Sequence, residues 1–289
     1  MTKNTCWKEG KDMKFENEFI ENLTENDKAQ NTVISYISDI KLFETFVLKS
    51  IEQINLKEIK NYVSYLESEG MKPTSINRKI ASIKTYINYI NVNHGTNINI
   101  DKLKQLKICN QDFLKDSLTI QEAQRIIKYA EKENDIRAVL IVKLLVLTGG
   151  RISEVLQLKI SKINDDSITV KGKGGKYRNL LISKKLKKEI QRYLEVRNNN
   201  SDFLFTGQRG AINRQTVHNT IKKYAGKARI KLTKAHAHAF RHLYTKILFD
   251  KQVPYSGIQQ LLGHTLTVTE LYGQLDKREL LKIINSINI

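Results

Sequence analysis

The chain has 289 residues, enough for two domains that each bury a core unaided, and its two cysteines, Cys6 and Cys109, lack the spacing of a disulfide framework or a zinc ribbon. The longest apolar run, Ala138 to Leu147, is broken by Lys143 and is about half of the roughly 20 residues that cross a bilayer; with no apolar signal core at the N-terminus, a soluble cytoplasmic protein is expected. A net charge of +19, from 49 basic and 30 acidic residues, points to a polyanionic partner and to nucleic acid first, although a codon bias toward Lys, Asn and Ile raises the same count.

A short tail over residues 1–14 precedes a helical domain over 15–95. Val33, Tyr36, Ile37, Ile40, Phe43 and Val47 mark one face of a long helix. Asn55 reads as the N-cap of the next helix, whose stripe of Leu56, Ile59, Tyr62, Val63 and Leu66 ends at Gly70. Pro73 opens a further helix with Ile76, Ile80, Ile83, Ile87 and Ile90 at helical spacing, which places Arg78 opposite the core and Lys79 and Lys84 on its flanks. Residues 96–116 lose periodicity and read as a linker. The second domain, 117–289, begins with helices and ends a buried one at Thr148-Gly149-Gly150. It continues with "SITV" and "YRNLLI" as a hairpin around "KGKGGK", then returns to helix from about Lys184. The fold class expected is mainly α with a small antiparallel β-sheet.

Four islands carry chemistry: "LTGGRISEV" with Arg151 and Glu154, the hairpin tip with Lys173, "HAHAFRHLY" with His238 and Arg241, and "LGHTLTVTELYGQL" with His264 and Tyr272. Each has a plain explanation by itself. Arg151 and Glu154 form an ordinary i,i+3 pair. The hairpin tip is no phosphate loop, because neither Gly-Lys pair is followed by Ser or Thr. His238 and His242 lie one helical turn apart, but Ala239 stands where a hydrolytic zinc motif needs Glu, and His236 points elsewhere, so no metal is expected. The run from Lys171 to Lys188, with Lys171, Lys176 and Arg178, is basic without an acid and suits a phosphate backbone.

Together, "TGGRISEVLQL", "GKGGKYRNLLI", "HAHAFRH" and "LLGHTLTVTELYG" resemble, in order and spacing, the tyrosine recombinases, the phage-integrase and Xer-like family. "NTVISYISDIKLF" and "PTSINRKIASIKTYINYI" resemble that family's core-binding domain, so the resemblance runs from about Phe15 onward. It implies a two-domain clamp around double-stranded DNA bearing inverted-repeat core sites, and a site-specific recombinase that works without ATP, cofactor or metal.

In the implied chemistry Tyr272 attacks the phosphodiester to give a 3′-phosphotyrosyl link. Arg151, Arg241 and His264 hold the nonbridging oxygens, Lys173 protonates the leaving 5′-oxygen, His238 helps accept the tyrosine proton, and Glu154 orients Arg151. Tyr244 and Tyr255 precede His264 and fit no such place. The interval from His264 to Tyr272 is one residue shorter than the family's usual one.

Arg78, Lys79 and Lys84 are the expected contacts of the N-terminal domain with DNA. The apolar stripe Leu280, Leu281, Ile284 and Ile287 in the tail is expected, by the same resemblance, to dock on a neighbouring protomer of a homo-tetramer on two DNA sites. Strand exchange through a Holliday junction follows, in dimer or cointegrate resolution or in movement of a mobile element, with room for an accessory DNA-binding protein. From the short N-terminal tail, no additional arm-binding domain is expected. The alternatives are a non-catalytic DNA-binding regulator on the same scaffold and a type IB topoisomerase-like enzyme.

Overall fold

The computed structural model describes residues 13–108, 117–163, 165–172, 175–198, 200–207, 210–263 and 275–287, and it divides into two compact units, Met1–Asn110 and Gln111–Ile289. The first holds α1 (Glu16–Glu25), α2 (Gln30–Val47), α3 (Leu56–Ser68) and α4 (Pro73–Asn93) around a core that includes Phe19, Ile40, Phe43, Ile59, Ile80 and Ile87. Its helix ends follow the expected chemistry. The Asn55 side chain accepts from Lys57 N at 2.8 Å while the Glu58 carboxylate accepts from Asn55 N at 3.0 Å, so two otherwise orphaned donors at the start of α3 are satisfied. Beyond α3, Gly70 adopts φ +72°, which a side chain resists, and Pro73 restarts the helix.

Two expectations change here. Lys79 is not on a basic flank: its side chain is 7% exposed, and Nζ donates to Asp39 Oδ1 at 2.9 Å. The reason is spacing, since Lys79 stands three residues after Ile76 and four before Ile83 and so shares their inward face, across which α2 presents Asp39. Arg78, 49% exposed, forks onto the same carboxylate, with Nη2 donating to Oδ1 at 2.9 Å and Nη1 to Oδ2, and the Ser82 hydroxyl donates to Oδ2 at 3.0 Å. Lys84 is partly exposed.

The second change concerns the segment expected as a linker. Ile98, Ile100 and Leu103 are buried in the first unit's core. The Asn91 side chain takes both the N–H and the carbonyl of Ile98, and the Asn77 side chain takes both of Leu106, so this non-helical stretch meets its backbone demands through two asparagines.

The second unit contains α5 (Ile120–Lys132), α6 (Ile136–Thr148), α7 (Ile152–Val155), β1 (Ser167–Lys171), β2 (Tyr177–Leu181), α8 (Lys184–Val196), β3 (Thr206–Gly207), β4 (Gly210–Ala211), α9 (Arg214–Lys227), α10 (Ala237–Asp250), α11 (Tyr255–Leu262) and α12 (Lys277–Asn285). From Ala138 to Thr148 every residue of α6 except Lys143 is buried, as an all-round apolar helix must be, and α5, α8, α9 and α10 pack around it. Lys143 escapes by pairing with Glu189 at 2.8 Å. β1 and β2 form the expected antiparallel hairpin in the register Lys171↔Tyr177. The two-residue strands β3 and β4 form a second small ladder where continuous helix was expected.

In the tail, Leu280, Ile284 and Ile287 are buried in the second unit's own core, Leu281 packs against it, and Asn285 Oδ1 accepts from Lys184 N at 2.9 Å. The stripe expected to seek a neighbouring protomer is therefore covered within its own chain. No helix among the described residues is long and apolar enough to cross a membrane.

Candidate active site

The site is built from the ends of elements, where backbone groups lack helix partners and charged side chains can meet them. α6 is capped by Gly149, whose φ of +58° is left-handed and whose Cβ, if present, would overlap the Tyr244 ring of α10. Only glycine lets the chain turn there against a buried aromatic. The turn delivers Arg151 to the start of α7, where Arg151 N donates to Glu154 Oε2 at 2.7 Å and Nη1 donates to Oε1 at 2.9 Å. One carboxylate thus caps the short helix and sets the guanidinium plane. Glu154 is fully buried, whereas the Arg151 side chain is 32% exposed.

A second arginine reaches Glu154 from the hairpin. Arg178 on β2 donates from Nη2 to Glu154 Oε2 at 2.7 Å and from Nη1 to the Leu261 carbonyl at 2.6 Å. Arg241 on α10, itself buried, donates from Nη1 to the Gly149 carbonyl at 2.9 Å and from Nη2 to the Leu262 carbonyl at 2.7 Å. Burial acts to raise the Glu154 pKa, but the hydrogen bond and charge of Arg178 and the hydrogen bonds of Arg151 outweigh it and hold the carboxyl below its ordinary value. Burial, then the charges of Arg151 and Arg178, push Arg241 down to about 10, so it stays cationic at neutral pH. The cluster sets three guanidinium groups against one carboxylate.

His236 caps α10, its Nδ1 accepting from Ala239 N at 3.1 Å. His238, one turn from His242 with ring centroids 4.4 Å apart edge to face, is exposed to solvent. Partial desolvation, then His242, Arg241, His236 and Arg151, lower its pKa, which keeps the imidazole neutral and able to accept a proton at neutral pH. Among the described residues no cluster of three or more His, Cys, Asp or Glu is suited to hold a metal.

The structure therefore gathers Arg151, Glu154, His238 and Arg241 around one place. Lys173, His264 and Tyr272 lie outside the described residues. The described chain brackets them: Gly172 N donates to the Lys176 carbonyl at 2.7 Å across the hairpin tip, and α11 ends at Leu262 and is capped by Gly263, the residue before His264. Lys171 and Lys176 are exposed, as a backbone contact requires. Arg178 is not: its side chain is only 9% exposed and both terminal nitrogens are engaged inside the protein, so its assignment to DNA contact is corrected. The signal was available, because strand alternation puts Arg178 on the same face as the buried Leu180.

The sequence profile of the phage integrase family matches residues 116–279, and that of the phage integrase N-terminal SAM-like domain matches residues 17–91. Tyrosine recombinase XerA of Pyrococcus furiosus is 31% identical over 283 residues, covering 94% of this chain and 93% of that relative. Among solved structures, a lambda integrase dimer bound to a core site superposes with a TM-score of 0.72 at 20% identity, covering 90% of this chain and 94% of the other. A lambda integrase tetramer bound to a Holliday junction gives 0.67 at 21% identity, covering 90% and 76%. With both profiles matched in order and a curated relative aligned along almost its whole length, the chain belongs to the phage integrase family and is a tyrosine recombinase, a DNA strand-transferring enzyme.

Proposed function

We propose that this recombinase cuts and rejoins DNA at specific sites through Tyr272. The phenolic oxygen attacks the scissile phosphorus, the bond from phosphorus to the 5′-oxygen breaks, and the tyrosine becomes esterified to the 3′-phosphate. Lys173 gives a proton to the departing 5′-oxygen, and His238 takes the proton that the phenol loses. One phosphoester replaces another, so the link stores what rejoining needs and no nucleotide is hydrolysed.

The observation that carries the reading is the charge balance around Glu154: three guanidinium groups face one carboxylate, with Arg151 the most open of them. Such an excess of fixed positive charge at a place with little water suits an anion, and above all one whose nonbridging oxygens gain charge in the transition state. Arg151 presents the fork to the phosphate, Arg241 adds its charge from beneath, and His264 contributes a further hydrogen bond.

Lys171 and Lys176 on the hairpin, with Arg78 and Lys84 of the first unit, follow the phosphate backbone. Lys79, tied to Asp39, supports this surface from inside. Four copies acting on two inverted-repeat sites would exchange strands through a Holliday junction, the assembly named for lambda integrase. The biological task we favour is resolution of replicon dimers or transposon cointegrates, or movement of an element into and out of DNA.

The test is covalent trapping. The protein is incubated with a nicked duplex carrying a core site selected by binding from random DNA, and a denaturing gel scores protein attached to DNA. A band lost in Tyr272→Phe is expected. A band that persists would move the nucleophile to another tyrosine, and tight binding without any band would favour a non-catalytic regulator.

A further inference from the structure

Arg178 does not fit the role of phosphate-backbone contact expected from the sequence. It is too enclosed to lie along a DNA strand, and its partners are not the apolar core but the parts of the active site. One of its nitrogens holds the Glu154 oxygen that also caps the Arg151 backbone. The other holds the Leu261 carbonyl, and the next carbonyl along the chain, that of Leu262, is held by Arg241. Two arginines from different elements thus take adjacent carbonyls at the C-terminal end of α11, the negative end of that helix. The chain then turns through Gly263, φ +66°, where any Cβ would overlap the Arg178 side chain. His264 follows directly in sequence.

We infer that Arg178 is a positioning residue for strand cleavage, a fork that fixes Glu154 and the end of α11 to each other and so sets both Arg151 and Arg241 for the scissile phosphate. The inference rests on the reading of those two arginines as the phosphate clamp. The geometry needs a fork: a carboxylate oxygen at 2.7 Å and a carbonyl oxygen at 2.6 Å are served by two nitrogens of one rigid plane. A lysine, with a single ammonium on a flexible stem, cannot hold both in fixed relation. The hairpin that supplies Arg178 also carries Lys173, so the strand that brings the proposed acid is anchored to the groups that bind the phosphate.

The test compares two substrates in single-turnover cleavage: the natural phosphodiester, and a methylphosphonate at the same position, in which a methyl group replaces one nonbridging oxygen and removes the negative charge. Arg151→Ala is the reference and Arg178→Gln and Arg178→Lys are the variants, all in the full chain and scored with thermal melting and DNA affinity over a range of salt. Arg178→Gln is expected to keep the affinity and its salt dependence, to cleave the phosphodiester roughly 10–100-fold more slowly, as removal of an orienting partner does, and to recover most of that deficit on the methylphosphonate, as Arg151→Ala does. Arg178→Lys, which retains the charge and one donor and so protects the fold, is expected to recover only a small part of the rate.

Equal losses on both substrates, with Arg151→Ala still sensitive to the charge, would overturn the inference and leave Arg178 a purely structural residue. A reduced salt slope with an unchanged cleavage rate in the bound complex would return it to DNA contact. If Arg151→Ala showed no dependence on the substrate's charge, the clamp reading itself would fail and this inference with it.

Discussion

Each unit of this recombinase buries one carboxylate under basic side chains, and the two clusters are put to different use. In the first unit, Asp39 lies between α2 and α4 and receives Arg78, Lys79 and the Ser82 hydroxyl, all four residues standing on helix bodies. In the second, Glu154 sits where α7 begins, where β2 passes and where α11 ends; it receives Arg151 and Arg178, and Arg178 reaches onward to the Leu261 carbonyl. A carboxylate within a helix pair fixes the packing of that pair. One at a junction of element ends fixes the direction in which charges point, and the third guanidinium beside it leaves the excess of positive charge that we propose meets a phosphate.

The comparison breaks first on stability. Asp39→Ala leaves the Lys79 ammonium buried without its counterion, and loss of one partner of a buried pair costs about 3–5 kcal/mol. Chemical denaturation should show a loss of that size, with the cleavage rate of the folded fraction unchanged. The double variant Asp39→Leu with Lys79→Met, which removes both charges at similar volume, should regain most of it. A double variant no more stable than the single one would mean that the cost lies in packing and not in an unpaired charge.

Next comes Arg151→Ala, in which the second cluster loses its exposed fork. Removal of one donor to a developing oxyanion slows the chemical step by about 10²–10³. Single-turnover phosphotyrosine formation should fall by that factor while site binding and the melting temperature stay close to those of the unaltered protein. A large drop in stability instead would make the two clusters alike and the proposed contrast empty.

His238 sharpens the contrast through pH. Its pKa is lowered by partial desolvation and then by His242, Arg241, His236 and Arg151, so the neutral base persists through neutral pH and is lost only as pH falls through a value beneath the ordinary histidine pKa of about 6.5. Cleavage should be flat near neutrality and decline on the acid side. The acid limb should vanish in His238→Gln, at a rate reduced by a general-base factor of about 10² or more, and remain in His242→Gln. An acid limb that survived in His238→Gln would assign it to another group.

Much of both clusters was readable before the fold, by rules applied one residue at a time. Tyr36, Asp39, Ile40 and Phe43 share helical spacing, as do Ile76, Lys79, Ile80 and Ile83, so a buried acid facing a buried lysine follows from two stripes read together rather than from either alone. Strand alternation put Arg178 with Leu180, but a run of basic residues draws attention to its sum and hides the one member that turns inward. Other features were not local. That Gly149 must be glycine depends on the Tyr244 ring from a helix far along the chain, and that Ile98, Ile100 and Leu103 join the core depends on a stretch held by two asparagine side chains of α4. The stripe of α12 was legible as apolar, but which surface would cover it was a matter of tertiary packing.

The smallest effects separate the outward from the inward members of the basic run. Lys171 and Lys176 are exposed beside the hairpin tip, and among the described residues neither has a side-chain partner of the kind that fixes Arg178. If they meet phosphates, each displaces roughly one condensed counterion on binding, so Lys171→Ala and Lys176→Ala should each lower the slope of log affinity against log salt by about 1. The loss should be the same for specific and unrelated duplexes, because a phosphate contact carries no sequence information. The cleavage rate of the fully bound complex should not change. Arg178→Gln should show the reverse, an unaltered slope and a slower chemical step. Were all three substitutions to lower the slope alike, the hairpin would be a uniform electrostatic surface, and the division between its outward lysines and its inward arginine would have no functional meaning.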